Sequence, residues 1–389
     1  MSQLLESRWS ETKEALLEGL QGNKRTVMAT TLENTRKYLA ESATAGATSA
    51  GNVATLNRVI LPVIRRVMPT VIANELVGVQ PMTGPVGQIH TLRVRYADSF
   101  NSTSGTDTTA GDEALSPFKI AEGYSGAASD KAASTAALEG VAGNRLSIQI
   151  LKQTVEAKTR KLSARWTFEA AQDAQAQQGI DIEAEIMAAL AQEITAEIDQ
   201  EVIASLSNLA GTVLTYDQSA VSGTATFVGD EHAALAVQIN RAANLIAQRT
   251  RRGAGNYAVV SPTTLTILQS ATTSAFARTT EGTFEAPTNT KFVGTLNSAM
   301  KVYVNGYATA DDVLIGYKGS SESDAPAFYC PYIPLMSSGV VLDPSTFEPV
   351  VSFMTRYGYV ELTNTASSLG NAADYLAKVA VTTANLKFA

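Results

Sequence analysis

The side chains that most often carry chemistry are scarce here: two histidines, His90 and His232, and one cysteine, Cys330, in 389 residues. A nucleophile, base and carboxylate triad or a histidine-rich metal site needs several such groups in register. Two histidines so far apart in sequence do not supply them. His90 falls on the apolar side of an alternating run and reads as a core or interface histidine, not a ligand. His232 sits in the first turn of an expected helix, where the same bland reading holds. Cys330, between Tyr329 and Pro331, has no basic neighbour to lower its pKa and reads as a small buried hydrophobe. Gly253-Ala254-Gly255 lacks the third glycine of a dinucleotide fingerprint and ends a helix instead. Glu193 and Glu197, at i and i+4, could ligate a metal inside a bundle; without a Glu-x-x-His partner they read as a solvated face. Arg249, Arg251 and Arg252 form a short basic cluster that the dipole favours at a helix C-terminus, with a DNA-facing or interface contact as the functional alternative. No catalytic residue, metal ligand or cofactor site is expected.

Composition narrows the class. Apolar residues make up 45% of the chain and charged residues 17%, which is a globular balance, and the length suits two or three domains with a sizeable core. A lone cysteine makes no intrachain disulfide, so no oxidising compartment is required. The first eighteen residues carry four acids and no apolar h-region, so no signal peptide is read. The richest apolar run, 59–79, is broken by Pro62, Arg65, Arg66 and Pro69, against a membrane span. The product is expected in the cytoplasm where it is made. A formal charge of −7 argues against a general nucleic-acid binder, which needs a basic surface to release counterions from phosphates.

The elements are organised around Lys161 to Leu209. From Ile182 the apolar residues recur every fourth position, through Ile186, Leu190, Ile194, Ile198, Val202 and Leu206. A four-residue step exceeds the 3.6-residue turn by about 40°, so the stripe winds around a helix and needs several neighbours to cover it. Ala184, Ala188, Ala189, Ala191 and Ala196 let those neighbours approach, while Glu183, Glu185, Glu193, Glu197 and Asp199 are assigned to solvent. Gly179 interrupts the pattern and Asp181 can cap a restart. Two helices, about 163–178 and 182–209, therefore stand level with a single rod.

Ahead of this spine, residues 1–41 carry two helical patches with six acids and six bases. Ser42 to Asn52 reads as a flexible linker, Leu56 to Leu76 as helix, and 78–87 as turns. Gln88 to Tyr96 alternates as a strand, with His90, Leu92, Val94 and Tyr96 on one face and Thr91, Arg93 and Arg95 on the other. The alternation returns at Leu146, Ile148 and Ile150. Between them, 97–145 is dominated by small residues that cannot build a core, the mark of a functional excursion. Beyond the spine come a helix carrying Leu235, Ile239 and Ile246, a strand Tyr257 to Val260, a helix opened by Ser261 and Pro262, strands Lys301 to Val304 and Val313 to Tyr317, and a strand-like end from Phe347 to Leu362. Strands and helices alternate as in an α/β layer.

Several blocks together resemble the major capsid protein of T-even-type tailed bacteriophages. They are Ile64-Arg65-Arg66-Val67-Met68-Pro69 running on to Gly78-Val79-Gln80-Pro81-Met82, Pro85 and Gly87; Val155-Glu156-Ala157-Lys158 with Arg160, Leu162, Ala171-Gln172-Asp173 and Gly179; Gly253 to Asn256; Tyr317-Lys318-Gly319 with Asp324-Ala325, Tyr329 and Pro331-Tyr332; and Phe347, Pro349-Val350, Phe353 and Thr355-Arg356-Tyr357-Gly358. Their common order over about residues 60–360 makes the resemblance specific.

The resemblance implies an α+β, Hong Kong 97-like fold: a scaffold-like N-terminal segment 1–41, an arm 42–87, an extended loop with flanking strands 88–155, a peripheral domain with a long spine helix 156–211, an axial domain 212–340 and a return to the peripheral domain over 341–389. It implies self-assembly into hexamers and pentamers of an icosahedral head shell, located in the virion and assembled in the host cytoplasm. The implied partners are other copies of the chain, an internal scaffold, a portal, a prohead protease, decoration or vertex proteins, and packaged DNA held without tight binding, with no membrane. The protease cuts after a glutamate in a Leu-x-Glu context, which Leu39-Ala40-Glu41 fits, placing the scissile bond between Glu41 and Ser42; Leu4-Leu5-Glu6 and Leu16-Leu17-Glu18 fit as well. T-even relatives carry an additional domain near the extended loop; only about fifty small residues occupy that place here, so a full insertion domain is not expected. The rival readings are an encapsulin-like non-viral compartment, favoured only without a scaffold-like leader, and an α/β enzyme with no recognisable site.

Overall fold

The computed structural model describes residues 9–10, 13–14, 16–17, 20–44, 72–103, 107–114, 123–126, 132–178, 181–221, 228–271, 276–278, 291–297, 299–322, 324–363 and 371–386. In chain order its first half holds α1 (Gly22–Thr44), β1 (Gly78–Val79), β2 (Val86–Tyr96), β3 (Leu146–Glu156), β4 (Lys158–Arg165), α2 (Phe168–Gln178) and α3 (Ile182–Leu209). The second half holds β5 (Thr212–Tyr216), α4 (Val228–Thr250), β6 (Tyr257–Val260), α5 (Pro262–Ser270), β7 (Phe276–Arg278), β8 (Lys291–Leu296), β9 (Met300–Val304), β10 (Val313–Gly316), β11 (Ala327–Ser337), β12 (Val341–Leu342), β13 (Pro349–Glu361) and β14 (Leu376–Val381). Helices and strands are both plentiful, as an α+β chain requires. No helix among the described residues is long and apolar enough to cross a membrane.

The chain forms two compact units, one of 1–87, 155–203 and 328–360, the other of 88–154, 204–327 and 361–389. In the first, a five-stranded sheet runs β1-β11-β13-β12, with β4 also paired to β13. β4 lies antiparallel to β13 with Arg160 opposite Thr355 and Lys158 opposite Tyr357. Val351, Phe353, Ile333 and Leu335 are buried in this sheet. Along α3, Leu190, Ile194, Ile198, Val202 and Leu206 are buried as their spacing requires, and Asp181 caps the start by accepting the Glu183 N–H at 3.1 Å.

The second unit holds a seven-stranded mixed sheet in the order β5-β14-β10-β6-β9-β8-β7. α4 is amphipathic, and its Leu235, Ile239 and Ile246, each fully buried, pack in one cluster with Val302, Val304, Ile315 and Val379 of the sheet. Ser261 caps α5 by accepting the Thr264 N–H at 3.1 Å, with Pro262 following at the helix start. β2 and β3 pair separately as a two-stranded ribbon.

Four boundaries differ from the sequence reading. Residues 161–165 belong to strand β4, not to a spine helix, because Arg160, Leu162 and Ala164 form one half-buried face against β13. α1 continues through Thr44, so 42–44 are helical; no glycine or proline stops the helix before Gly46. Residues 45–52 of the expected linker and 56–71 of the expected helix lie outside the described residues. β11, expected in the axial part 212–340, pairs with β1 and β13, whereas β14, expected in the peripheral part 341–389, pairs with β5 and β10. Replacing Ile246 by alanine should leave a cavity against the large sheet and lower unfolding free energy by about 2–5 kcal/mol in a denaturant titration; a loss below ~1 kcal/mol would contradict this packing.

Candidate functional site

The residues singled out for chemistry are not brought together. His232 is buried, its Nδ1 2.5 Å from the Ser270 hydroxyl, whereas His90 is exposed, so the core reading fails there. Cys330 is buried, and burial pushes its thiol up to about 12. Arg249 is half-buried and already engaged. Arg251 is exposed in a left-handed conformation, φ 50°, and Arg252 donates to Asp324 at 2.6 Å. The three do not form one free cationic patch. Glu193 is exposed, while Glu197 accepts from Arg160. Among the described residues no three His, Cys, Asp or Glu side chains cluster as metal ligands. The backbone of Glu41 and Ser42 lies in the C-terminal part of α1.

The structure instead gathers several of the residues that carried the family resemblance into two clasps. In the first unit, Arg160 of β4 donates to the Tyr357 hydroxyl at 2.5 Å, to Glu201 at 2.5 Å and to Glu197. The two glutamates are one turn apart on α3. Tyr357 donates its own hydroxyl hydrogen to Glu201. Burial would raise the Glu201 carboxyl, but the bonds from Tyr357 and Arg160 outweigh it and hold the carboxyl below its ordinary value. Gly358 follows because a Cβ there would sit 2.4 Å from Val155 Cγ1 and 3.2 Å from the Glu156 carbonyl. Midway between Glu197 and Glu201 in sequence, and so on the opposite side of α3, Asp199 is also buried and not solvated, its carboxylate accepting the Ile72 N–H at 2.9 Å.

The second clasp joins two of the resemblance blocks in the other unit. The Asn256 side chain pairs with the Lys318 backbone in both directions, donating to its carbonyl at 2.5 Å and accepting its N–H at 3.0 Å. Asp324 takes Arg252 and lies 3.5 Å from the Tyr317 hydroxyl. A Cβ on Gly253 would strike the Tyr317 ring at 2.7 Å, and one on Gly319 would strike Asp324 at 2.3 Å. These glycines permit the close packing of Tyr317 and Asp324.

The ribbon of β2 and β3 reverses the expected faces. Arg93 and Arg95 are buried, Arg93 paired with Glu113 at 2.7 Å. Leu92, Leu146, Ile148 and Ile150 stand 58–68% exposed. Described residues of the excursion 97–145 are also tied together, which its composition did not promise. Tyr124 is buried, donates to the Arg145 carbonyl at 2.7 Å and packs its ring 4.6 Å from that of Tyr96, and Arg145 pairs with Asp98 at 3.0 Å. A nonlocal ion pair and one tyrosine-centred knot leave no periodic signal, which is why sequence reasoning missed both.

The sequence profile of the family described as major capsid protein Gp23 matches residues 53–381. The chain is similar to the major capsid protein of Vibrio phage KVP40, 30% identical over alignments covering 85% of this chain and 82% of that one. It is likewise similar to the major capsid protein of Enterobacteria phage T4, 31% identical over 82% and 78% respectively. A solved structure, the capsid of Myoviridae phage XM1, gives a TM-score of 0.44 at 10% identity over 80% of this chain and 92% of its own. The sequence matches place the chain among the structural proteins of tailed-bacteriophage head shells. It belongs to the major capsid protein Gp23 family.

Asp199 offers a test of the first clasp's surroundings. Burial raises its carboxyl from 3.8 to about 7, opposed by the Ile72 N–H bond. The folded state therefore pays for ionisation that is free in the unfolded chain: nothing below pH 4, more between pH 4 and 7, and the full penalty above 7. Asp199→Asn should stabilise the protein by on the order of 2–4 kcal/mol at pH 7.5, and thermal melts should show that gain vanishing towards pH 4. A gain independent of pH would contradict the buried ionisation.

Proposed function

We propose that this head-shell subunit assembles into hexamers and pentamers, and that the β2–β3 ribbon is the limb by which each copy grips the next. The observation behind this reading is the exposed apolar row of Leu92, Ile148 and Ile150. An apolar face of that kind marks an interaction surface, and shell contacts between copies bury roughly 2,000 Å² or more each. Residues 88–155 act as the extended loop, 156–211 with part of the C-terminal region as the peripheral part, and the seven-stranded sheet as the axial part. The scaffold, portal, prohead protease, and decoration or vertex proteins are its partners during assembly in the host cytoplasm, and the −7 charge lets packaged DNA lie against the wall without adhering.

Cleavage between Glu41 and Ser42 belongs to the same reading. A protease needs an extended substrate, and α1 is helical through Thr44, so its last turn must open first. That turn is poorly supported, since it contains no basic residue to meet the dipole. Mass spectrometry of mature particles should find subunits beginning at Ser42; subunits still beginning at Met1 or Ser2 would remove the idea. The double change Ile148→Ser and Ile150→Ser should give folded subunits with an unchanged melting temperature that form no shells under negative-stain microscopy. Normal shells from that variant would overturn the assignment of the ribbon.

A further inference from the structure

The leader is held against its own subunit by side chains that the shell-forming role does not explain. Asn34 of α1 is 5% exposed, and its amide donates to the Met82 carbonyl at 2.6 Å and to the Tyr332 carbonyl at 3.0 Å. Those carbonyls lie on two separate segments, the turn that follows β1 and the strand β11. Asn23 donates to the Val79 carbonyl at 3.2 Å, and Lys24 pairs with Glu75 at 3.1 Å. Between these polar grips Met28, Thr31 and Leu32 are buried to the level of a domain core. The gripped turn has its own bonds to β11, from Gln80 N–H to Tyr329 O at 3.1 Å and from Met82 N–H to Pro331 O at 3.0 Å. Asn34 adds to them a side chain that meets both sides of that junction at once.

We propose that the leader helix α1 is an intramolecular clamp, with Asn34 as its positioning residue, that fixes the turn 79–82 on β11 for as long as the leader is attached. The amide fits this task because its two hydrogens satisfy two carbonyls in a fixed fork. A purely apolar helix would bury the same area without setting the register between turn and strand. Removal of residues 1–41 would take Asn34, Asn23 and Lys24 away together, leaving the turn with only its backbone bonds. The clamp does not depend on where or whether the chain is cut; only its release does, and the mass of the mature subunit reports on that separately.

Hydrogen exchange on the full-length chain tests the clamp. Asn34→Asp keeps the shape of the side chain but sets a carboxylate against two carbonyls. At pH 7 the Gln80 and Met82 amides should exchange about tenfold faster, roughly the net worth of one hydrogen bond, with the amides of β9 and β10 unchanged. As the pH falls and the introduced carboxyl gains a proton, it becomes a donor again and part of the protection should return. Lys24→Glu, at a partly exposed position that a folded chain tolerates, should raise exchange at the same amides by about threefold through repulsion from Glu75. Unchanged exchange at Gln80 and Met82 in both variants overturns the proposal. So does an equal acceleration across β9 and β10, which would make Asn34 an ordinary contributor to global stability.

Discussion

Arg160 cannot shift without disturbing a strand, its neighbour and a helix together, because its guanidinium serves Tyr357 of β13 and both Glu197 and Glu201 of α3. Pairs at an open surface contribute about 1 kcal/mol or less. Here the arginine side chain is 25% exposed and shares the Glu201 carboxylate with the Tyr357 hydroxyl, so the group acts through geometry more than through net energy. The i, i+4 spacing of the glutamates sets the rotation of α3, and the β4–β13 register sets where Arg160 meets them. Gly358 then lets β13 come within contact of Val155 and Glu156. The sheet and helix of the first unit have one arrangement that satisfies all of these demands.

The other unit concentrates its apolar interior around α4 and the seven-stranded sheet, and leaves the β2–β3 ribbon with almost none. A two-stranded ribbon is marginal by itself. In this one the Arg93–Glu113 pair and the Tyr124 knot hold the end towards residues 96 and 145, while its outer apolar row stands exposed. On the function proposed above, burial that would ordinarily stabilise a monomer is reserved for association. A shell subunit needs this division, because a ribbon satisfied within its own chain would have nothing to offer a neighbour.

What the sequence revealed follows the range of the forces involved. The winding stripe of α3, the amphipathic α4 and the Ser261-Pro262 start of α5 are written in local periodicity and capping chemistry, and they form as read. β4 was hidden because its alternation adjoins helical sequence, and β11 because Pro331 and Pro334 interrupt a run that only its partners make a strand. Asp199 was assigned to solvent on charge alone, and Arg93 and Arg95 to the face opposite the apolar one. Their burial depends on Glu113 and on the Ile72 N–H, contacts across 20 and 127 residues of chain that no periodicity encodes. The two clasps were visible only as resemblance blocks, and their convergence through Asn256, Tyr317 and Asp324, or through Arg160 and Tyr357, is a property of the folded chain.

Cys330 has a practical side. Sealed within β11 and held protonated by its surroundings, the lone thiol is a poor target for maleimide or iodoacetamide under native conditions. A second cysteine introduced at an open ribbon position such as Gln149 would be the sole reactive handle on the subunit. A fluorophore or spin label could then be placed on the limb with no need to delete the native sulfur, and distances between labels would follow the limb from free chain to closed particle.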